Sequence, residues 1–146
     1  MALVFLTSDQ ELIGQENLEL IGQTFAPLIM ADLVEIEIEL LPPKEMRQLN
    51  LQQRQVDHVT DVLSFPIFAS LQEVSSEIPV LLGSIVICPE EAVLRLETLP
   101  QLVVHGILHL IGNDHETDRE AWLKLEDQVL QELSSKGMMI AGIESW

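Results

Sequence analysis

The segment QLVVHGILHLI, Gln101 to Ile111, constrains this chain more than any other. It is apolar nearly all round, so it folds as a buried helix or a buried strand and must be covered on every side by the rest of the chain. Pro100 before it and Gly112 after it favour a helix, because proline fits a first turn and glycine a helix end. The remaining material suits that demand. The chain has 146 residues, of which 47% are hydrophobic, with mean hydropathy +0.26. A compact chain of this length buries roughly 68–70% of its unfolded surface, which excludes disorder and fits one domain over residues 1–146. No uncharged apolar run is long enough to cross a bilayer.

Charge excludes more. Seven Lys+Arg against 24 Asp+Glu leave −17, which argues against broad, nonspecific attraction to nucleic acid or anionic lipid. The bases are unevenly placed: Lys44, Arg47 and Arg54 fall close together, on what reads as a short helix. Cys88 is the lone cysteine, so no intrachain disulfide forms. The N-terminal MALVFLTSDQ lacks a basic segment and a long apolar run, unlike a secretory signal. Both features suit a reducing, cytoplasmic setting.

Around the central segment, the pattern predicts a mixed set of elements. Ala2–Leu6 reads as a short strand. Ser8 to Glu11 has capping-box spacing before a helix carrying Leu18, Ile21, Phe25 and Leu28, weakened at Gly14 and Gly22. In Leu33–Leu41, Val34, Ile36, Ile38 and Leu40 alternate with Glu35, Glu37 and Glu39, the mark of a strand with one wet, acidic face. Pro42-Pro43 opens a helix through about Leu51. Asp61–Phe68 is an expected strand, at a sheet edge because of Pro66. Leu81–Cys88 reads as a buried strand with a short helix after Pro89. Thr117 to Glu120 repeats the capping-box spacing ahead of Trp122, Leu125, Val129 and Leu133, and Gly137 ends that helix. The fold class expected is α+β, one small mixed sheet packed with helices.

The chemistry lies in the histidines. His105 and His109 are about 400° apart on a helix, one turn apart on one face. On a strand they would stand about 13 Å apart, too far to share a metal. Gly112 can turn the chain so that His115 approaches from outside the helix. Three neutral imidazoles with an open fourth position form the ligand set of a catalytic zinc ion. The spacing matches the frame of H-E-x-x-H-x-x-G-x-x-H metalloproteases, but Gly106 stands where those enzymes carry the glutamate base. That argues for a metal hydrolase and against peptide hydrolysis by that route.

HGILHLIGNDH, His105 to His115, resembles the signature of the YbeY family of metal-dependent endoribonucleases, also described as ribosomal RNA maturation factors. Two upstream blocks agree in order: Arg54-x-x-Asp57-x-x-Thr60-Asp61-Val62-Leu63-Ser64-Phe65-Pro66, and Leu82-Gly83-Ser84-Ile85-Val86-Ile87. Four positions depart from the family's usual residues. Asn113 and Gln53 stand where aromatics are common, Val59 where proline is, and Ser84 where aspartate is. None removes a metal ligand. The resemblance implies a cytoplasmic single-strand endoribonuclease acting in 3′-end maturation of small-subunit ribosomal RNA and in ribosome quality control. It maps the zinc ligands onto His105, His109 and His115, and a functionally important arginine onto Arg54.

The residues themselves support part of that picture. Zinc-bound water reaches a pKa near 7 and attacks as hydroxide, and Arg54 suits the charge of a phosphodiester. Asp61 and Asp114 are candidates to orient a ligand histidine, and Ser64 is a candidate contact to water or substrate. His58 matches no motif and reads as an exposed histidine. For a chain this acidic, a basic groove must be local, with Lys44, Arg47 and Arg54 its candidates, or a ribosomal or assembly-factor protein supplies affinity. Two rival readings fit the same ligands: a metal hydrolase on another ester or amide, and a non-catalytic, metal-stabilised ribosome-assembly factor. Three histidines also suit nickel, copper or iron.

Overall fold

The structure is a computed structural model that describes residues 2–29, 33–68, 79–112 and 119–140. Four strands, β1 (Ala2–Leu6), β2 (Leu33–Leu40), β3 (Val62–Pro66) and β4 (Val80–Ile87), form one sheet in the order β1-β2-β4-β3. β1, β2 and β4 run parallel; β3 is antiparallel to β4 at the edge. The helices among the described residues are α1 (Gln10–Ile13), α2 (Gln15–Phe25), α3 (Pro43–Arg54), α4 (Pro89–Leu94), α5 (Leu99–Leu110) and α6 (Arg119–Ser135). The fold is α+β with a mixed sheet, as the pattern predicts.

Alternation decides which side of the sheet each strand presents. In β2, Val34, Ile36 and Ile38 are buried under α2 and α5, while Glu37 and Glu39 stay exposed on the other face. β4 lies between β2 and β3 and is buried over most of its length, as its unbroken apolar run requires. Pro66 sits in the edge strand, where its missing N–H breaks no inner ladder. It lies opposite Gly83, where a Cβ would strike the Phe65 carbonyl oxygen and Leu110, so the close β3–β4 approach requires glycine.

Two cores result. The larger joins α2, α5 and α6 to one face through residues such as Phe25, Ile36, Leu82, Ile85, Ile107 and Leu133. The smaller lies on the opposite face, where Met46 of α3 covers Leu63, Val86 and Cys88.

Several boundaries differ from the sequence reading. Gly14, at φ 101°, divides the first helix into α1 and α2 rather than merely weakening it. The Ser8–Glu11 capping box does not form: α1 starts after Asp9 without a side-chain cap, and the Thr7 hydroxyl accepts from the Asp9 N–H at 3.1 Å. α3 runs to Arg54, a turn further than expected, and ends where Gln55 takes a left-handed conformation. α5 begins at Leu99 under a true capping box formed by Thr98 and Gln101. The expected Thr117 box lies outside the described residues.

Candidate metal centre

The residues of α5 divide cleanly by position. Leu102, Val103, Val104, Gly106, Ile107, Leu108 and Leu110 are buried, whereas Gln101, His105 and His109 are only half-buried. Those three polar residues fall at successive i, i+4 intervals, so they make one stripe along an otherwise enclosed helix. The helix is therefore held by its apolar surround and presents its imidazoles along one line.

The imidazoles converge. His105 Nε2 and His109 Nε2 lie 3.2 Å apart, with ring centroids separated by 4.8 Å. Two ligands at zinc–nitrogen distance and tetrahedral angle stand about 3.3 Å apart, so the spacing fits one metal shared by both Nε2 atoms. Trp122 of α6, 4% exposed, walls the pair, its ring 5.0 Å from His105 and 5.6 Å from His109. On its other side, His105 Nδ1–H donates to Glu126 Oε2 at 3.2 Å. A carboxylate only accepts, so in the neutral imidazole this contact leaves Nε2 as the lone-pair nitrogen, the one that faces His109. Among the described residues, no three His, Cys, Asp or Glu side chains form a metal cradle. His115, the expected third ligand, lies outside them, and Asp114 does too.

Gly106 explains the missing glutamate. A Cβ at this position would lie 2.8 Å from three side-chain carbons of Ile85, because α5 presses directly on β4 there. The position after the first histidine points into the sheet.

Among the described residues, Asp61 contacts neither His105 nor His109. It accepts from the Val62 N–H at 2.8 Å and from the Thr60 hydroxyl at 3.2 Å, and pairs with Arg95 at 3.3 Å. It also hydrogen-bonds Glu97. Burial, then the bond and charge of Asp61, push the Glu97 carboxyl up to about 8, so at neutral pH Glu97 holds the proton between them. Burial also pushes Asp61 up, but the Glu97 bond and Arg95 outweigh it, and Asp61 stays below the ordinary carboxylate range. The carboxylate that meets His105 among the described residues is Glu126. The sequence did carry a signal for it. Trp122, Glu126, Val129, Leu130 and Leu133 recur at three- and four-residue steps, which puts a carboxylate in the inward stripe of α6.

Arg54 ends α3, exposed, on the face of the sheet opposite α5. Among the described residues it makes no side-chain hydrogen bond or ion pair, so a surface salt bridge is not its role there. The turn after it is fixed: buried Asn50 donates to the His58 carbonyl at 2.9 Å, and the Gln55 N–H to Leu51 at 3.0 Å. His58 itself is exposed, as its lack of a motif suggested. Arg47, by contrast, is engaged with Asp57 at 2.7 Å, a bond that holds the Asp57 carboxyl below its usual range. The expected basic trio is thus reduced to Lys44 and Arg54. Ser64 is half-buried and pairs in register with Ile85, on the α5 side of the sheet. Ser84 donates to Glu37 Oε2 at 3.0 Å across the β2–β4 pair.

An imidazole pair on an enclosed helix, backed by a carboxylate and walled by an indole, could hold part of a metal site on this α+β fold. Comparison with known proteins makes this specific. Residues 7–134 match the family model described as endoribonuclease YbeY. Endoribonuclease YbeY of Bartonella henselae is 42% identical over 112 residues, covering 70% of each chain. Its counterpart in Campylobacter jejuni is 33% identical over 119 residues, covering 75% of this chain and 84% of that one. The solution structure of a Thermotoga maritima protein, 28% identical, covers 92% of both chains with a TM-score of 0.52. The chain belongs to the YbeY family and with it to the metal-dependent endoribonucleases, hydrolases of phosphodiester bonds.

Proposed function

We propose that this protein is a zinc-dependent endoribonuclease specific for single-stranded RNA. It acts in 3′-end maturation of small-subunit ribosomal RNA and in ribosome quality control in the cytoplasm. His105, His109 and His115 hold one metal ion, and Arg54 binds the scissile phosphate. The observation that carries the metal half is the 3.2 Å approach of the His105 and His109 Nε2 atoms.

A divalent ion held there would supply an activated water at neutral pH and charge to offset that of the phosphodiester. The protein's part is to place and shield. α5 fixes both imidazoles on a single stripe, and Trp122 excludes water from one side of them. Arg54, with no competing side-chain partner among the described residues, can offer both its N–H edges to phosphate oxygens. With a net charge of −17, the chain binds RNA weakly and with steep salt dependence, or with help from a ribosomal or assembly-factor protein. No helix among the described residues is long and apolar enough to cross a membrane.

The test is cleavage of an end-labelled single-stranded RNA by wild type and His109→Ala, purified in parallel. Cleavage by wild type alone, stopped by a chelator, is the expected result. Equal cleavage by both proteins would identify a contaminant, and cleavage by neither would favour an assembly factor without turnover.

A further inference from the structure

α6 buries Trp122, Val129, Leu130 and Leu133, and Glu126 falls within the same stripe. A leucine there would pack at little cost, whereas a half-buried carboxylate loses hydration and needs a partner. Among the described residues, Glu126 has one hydrogen-bonding partner, His105 Nδ1 at 3.2 Å. No lysine or arginine among them forms an ion pair with it. A charge in an apolar stripe that satisfies a single imidazole nitrogen is hard to explain as a contribution to the fold. It is readily explained as an orientation device.

We propose that Glu126 is the positioning residue of the metal centre: it holds the proton of His105 on Nδ1 and turns Nε2 toward the point it shares with His109. The assignment rests on the metal reading above. Imidazole has two neutral tautomers, and only the one with a bare Nε2 can ligate at the His105–His109 junction. Glu126 fixes that tautomer before any metal arrives, and it fixes the ring plane as well.

A fold-supporting role and a positioning role separate in experiment. If Glu126 mainly supported the fold, Glu126→Gln and Glu126→Leu would lower the thermal midpoint of the metal-free protein. As a positioning residue, its loss leaves that midpoint unchanged or raised, because an apolar or neutral side chain suits the stripe better. The affinity for metal falls about 10–100-fold instead. Trp122 touches both imidazoles and reports binding directly, by Co2+ quenching in a Trp146→Phe background, with Zn2+ measured by competition. The nitrogen spectrum of 15N-labelled, metal-free protein gives the tautomer: Nδ1–H at His105 in wild type, and a mixture in both variants.

Wild-type metal affinity in Glu126→Gln and Glu126→Leu, with the tautomer unchanged, would overturn the assignment while His109→Ala still lost the metal. Failure of the wild type itself to bind Co2+ or Zn2+ would overturn this assignment together with the metal reading beneath it. The two failures are distinct, because only the second removes binding from the wild type.

Discussion

On the α5 face of the sheet, His105 and His109 project from a helix enclosed on all other sides, with Trp122 against both rings and Glu126 on one. On the α3 face, Arg54 ends a helix over a small core of Met46, Leu63, Val86 and Cys88, and its guanidinium extends into solvent. The candidate metal ligands are set before any ligand comes; the proposed phosphate-binding arginine is not. Metal ligands reward rigidity, because a displaced nitrogen loses most of its bond. A phosphate-binding arginine in a strongly acidic chain faces a different constraint. It must stay clear of neighbouring carboxylates, and among the described residues only Arg47 on its helix is held by one.

The sharpest way to break this contrast is at Gly106. Restoring the protease-like glutamate by Gly106→Glu should cost the fold, since the new side chain would enter the α5–β4 contact against Ile85. Overpacking costs about 1–3 kcal/mol and a buried unpaired carboxylate several more, comparable to the whole stability of a small domain. Gly106→Ala, which gains up to about 1 kcal/mol in helix propensity, should lose only about 1–2 kcal/mol. Denaturant unfolding measures both. A folded Gly106→Glu protein of wild-type stability would mean that α5 can lift from the sheet, and the enclosed half would not be rigid.

Much of the enclosed half is legible in the sequence because it is local. The i, i+4 histidines, the proline start and the alternating glutamates of β2 are short-range patterns, and short-range periodicity survives folding unchanged. Glu126 escaped because a face traced through Trp122, Leu125, Val129 and Leu133 steps over it, and a glutamate on a helix reads as surface. Its partner is 21 residues away, beyond the reach of any helical period. The partners of Asp61 among the described residues, Arg95 and Glu97, are likewise more than thirty residues away, beyond the reach of any local pattern. The Ser8 box failed where the Thr98 box succeeded, although both have the spacing. At α1 the Thr7 hydroxyl, not Ser8, takes a backbone N–H, and the helix lasts four residues.

A medium-sized effect is expected from the carboxyl pair beside the metal centre. Glu97, raised to about 8, is stabilised in the fold as the protonated acid. Its contribution is fully present below its ordinary pKa of 4.5 and is lost as pH rises through about 8. Asp61 is shifted the other way and loses its contribution only under acid conditions. In Glu97→Gln the amide donates to Asp61 at every pH. The thermal midpoint of wild type should therefore fall relative to the variant between pH 5 and pH 8.5. Parallel curves over that range would show that no proton is held between the two carboxyls, and would leave Arg95 alone to balance them.

The smallest expected effect on the fold, and the most informative for the open half, belongs to Arg54→Ala. With no side-chain partner among the described residues, Arg54 should leave the thermal midpoint within about 2 °C and metal affinity unchanged. What should change is the salt dependence of RNA binding. Each phosphate contact on a single strand contributes about 0.7 to the slope of log affinity against log salt, so the variant should bind more weakly with a slope shallower by roughly that amount. Arg47→Ala is the control on the same helix. Because Asp57 already holds that guanidinium, its removal should alter the slope by less. Equal slope changes in the two variants would mean that RNA competes Arg47 away from Asp57, making α3 a continuous basic edge rather than a single arginine contact.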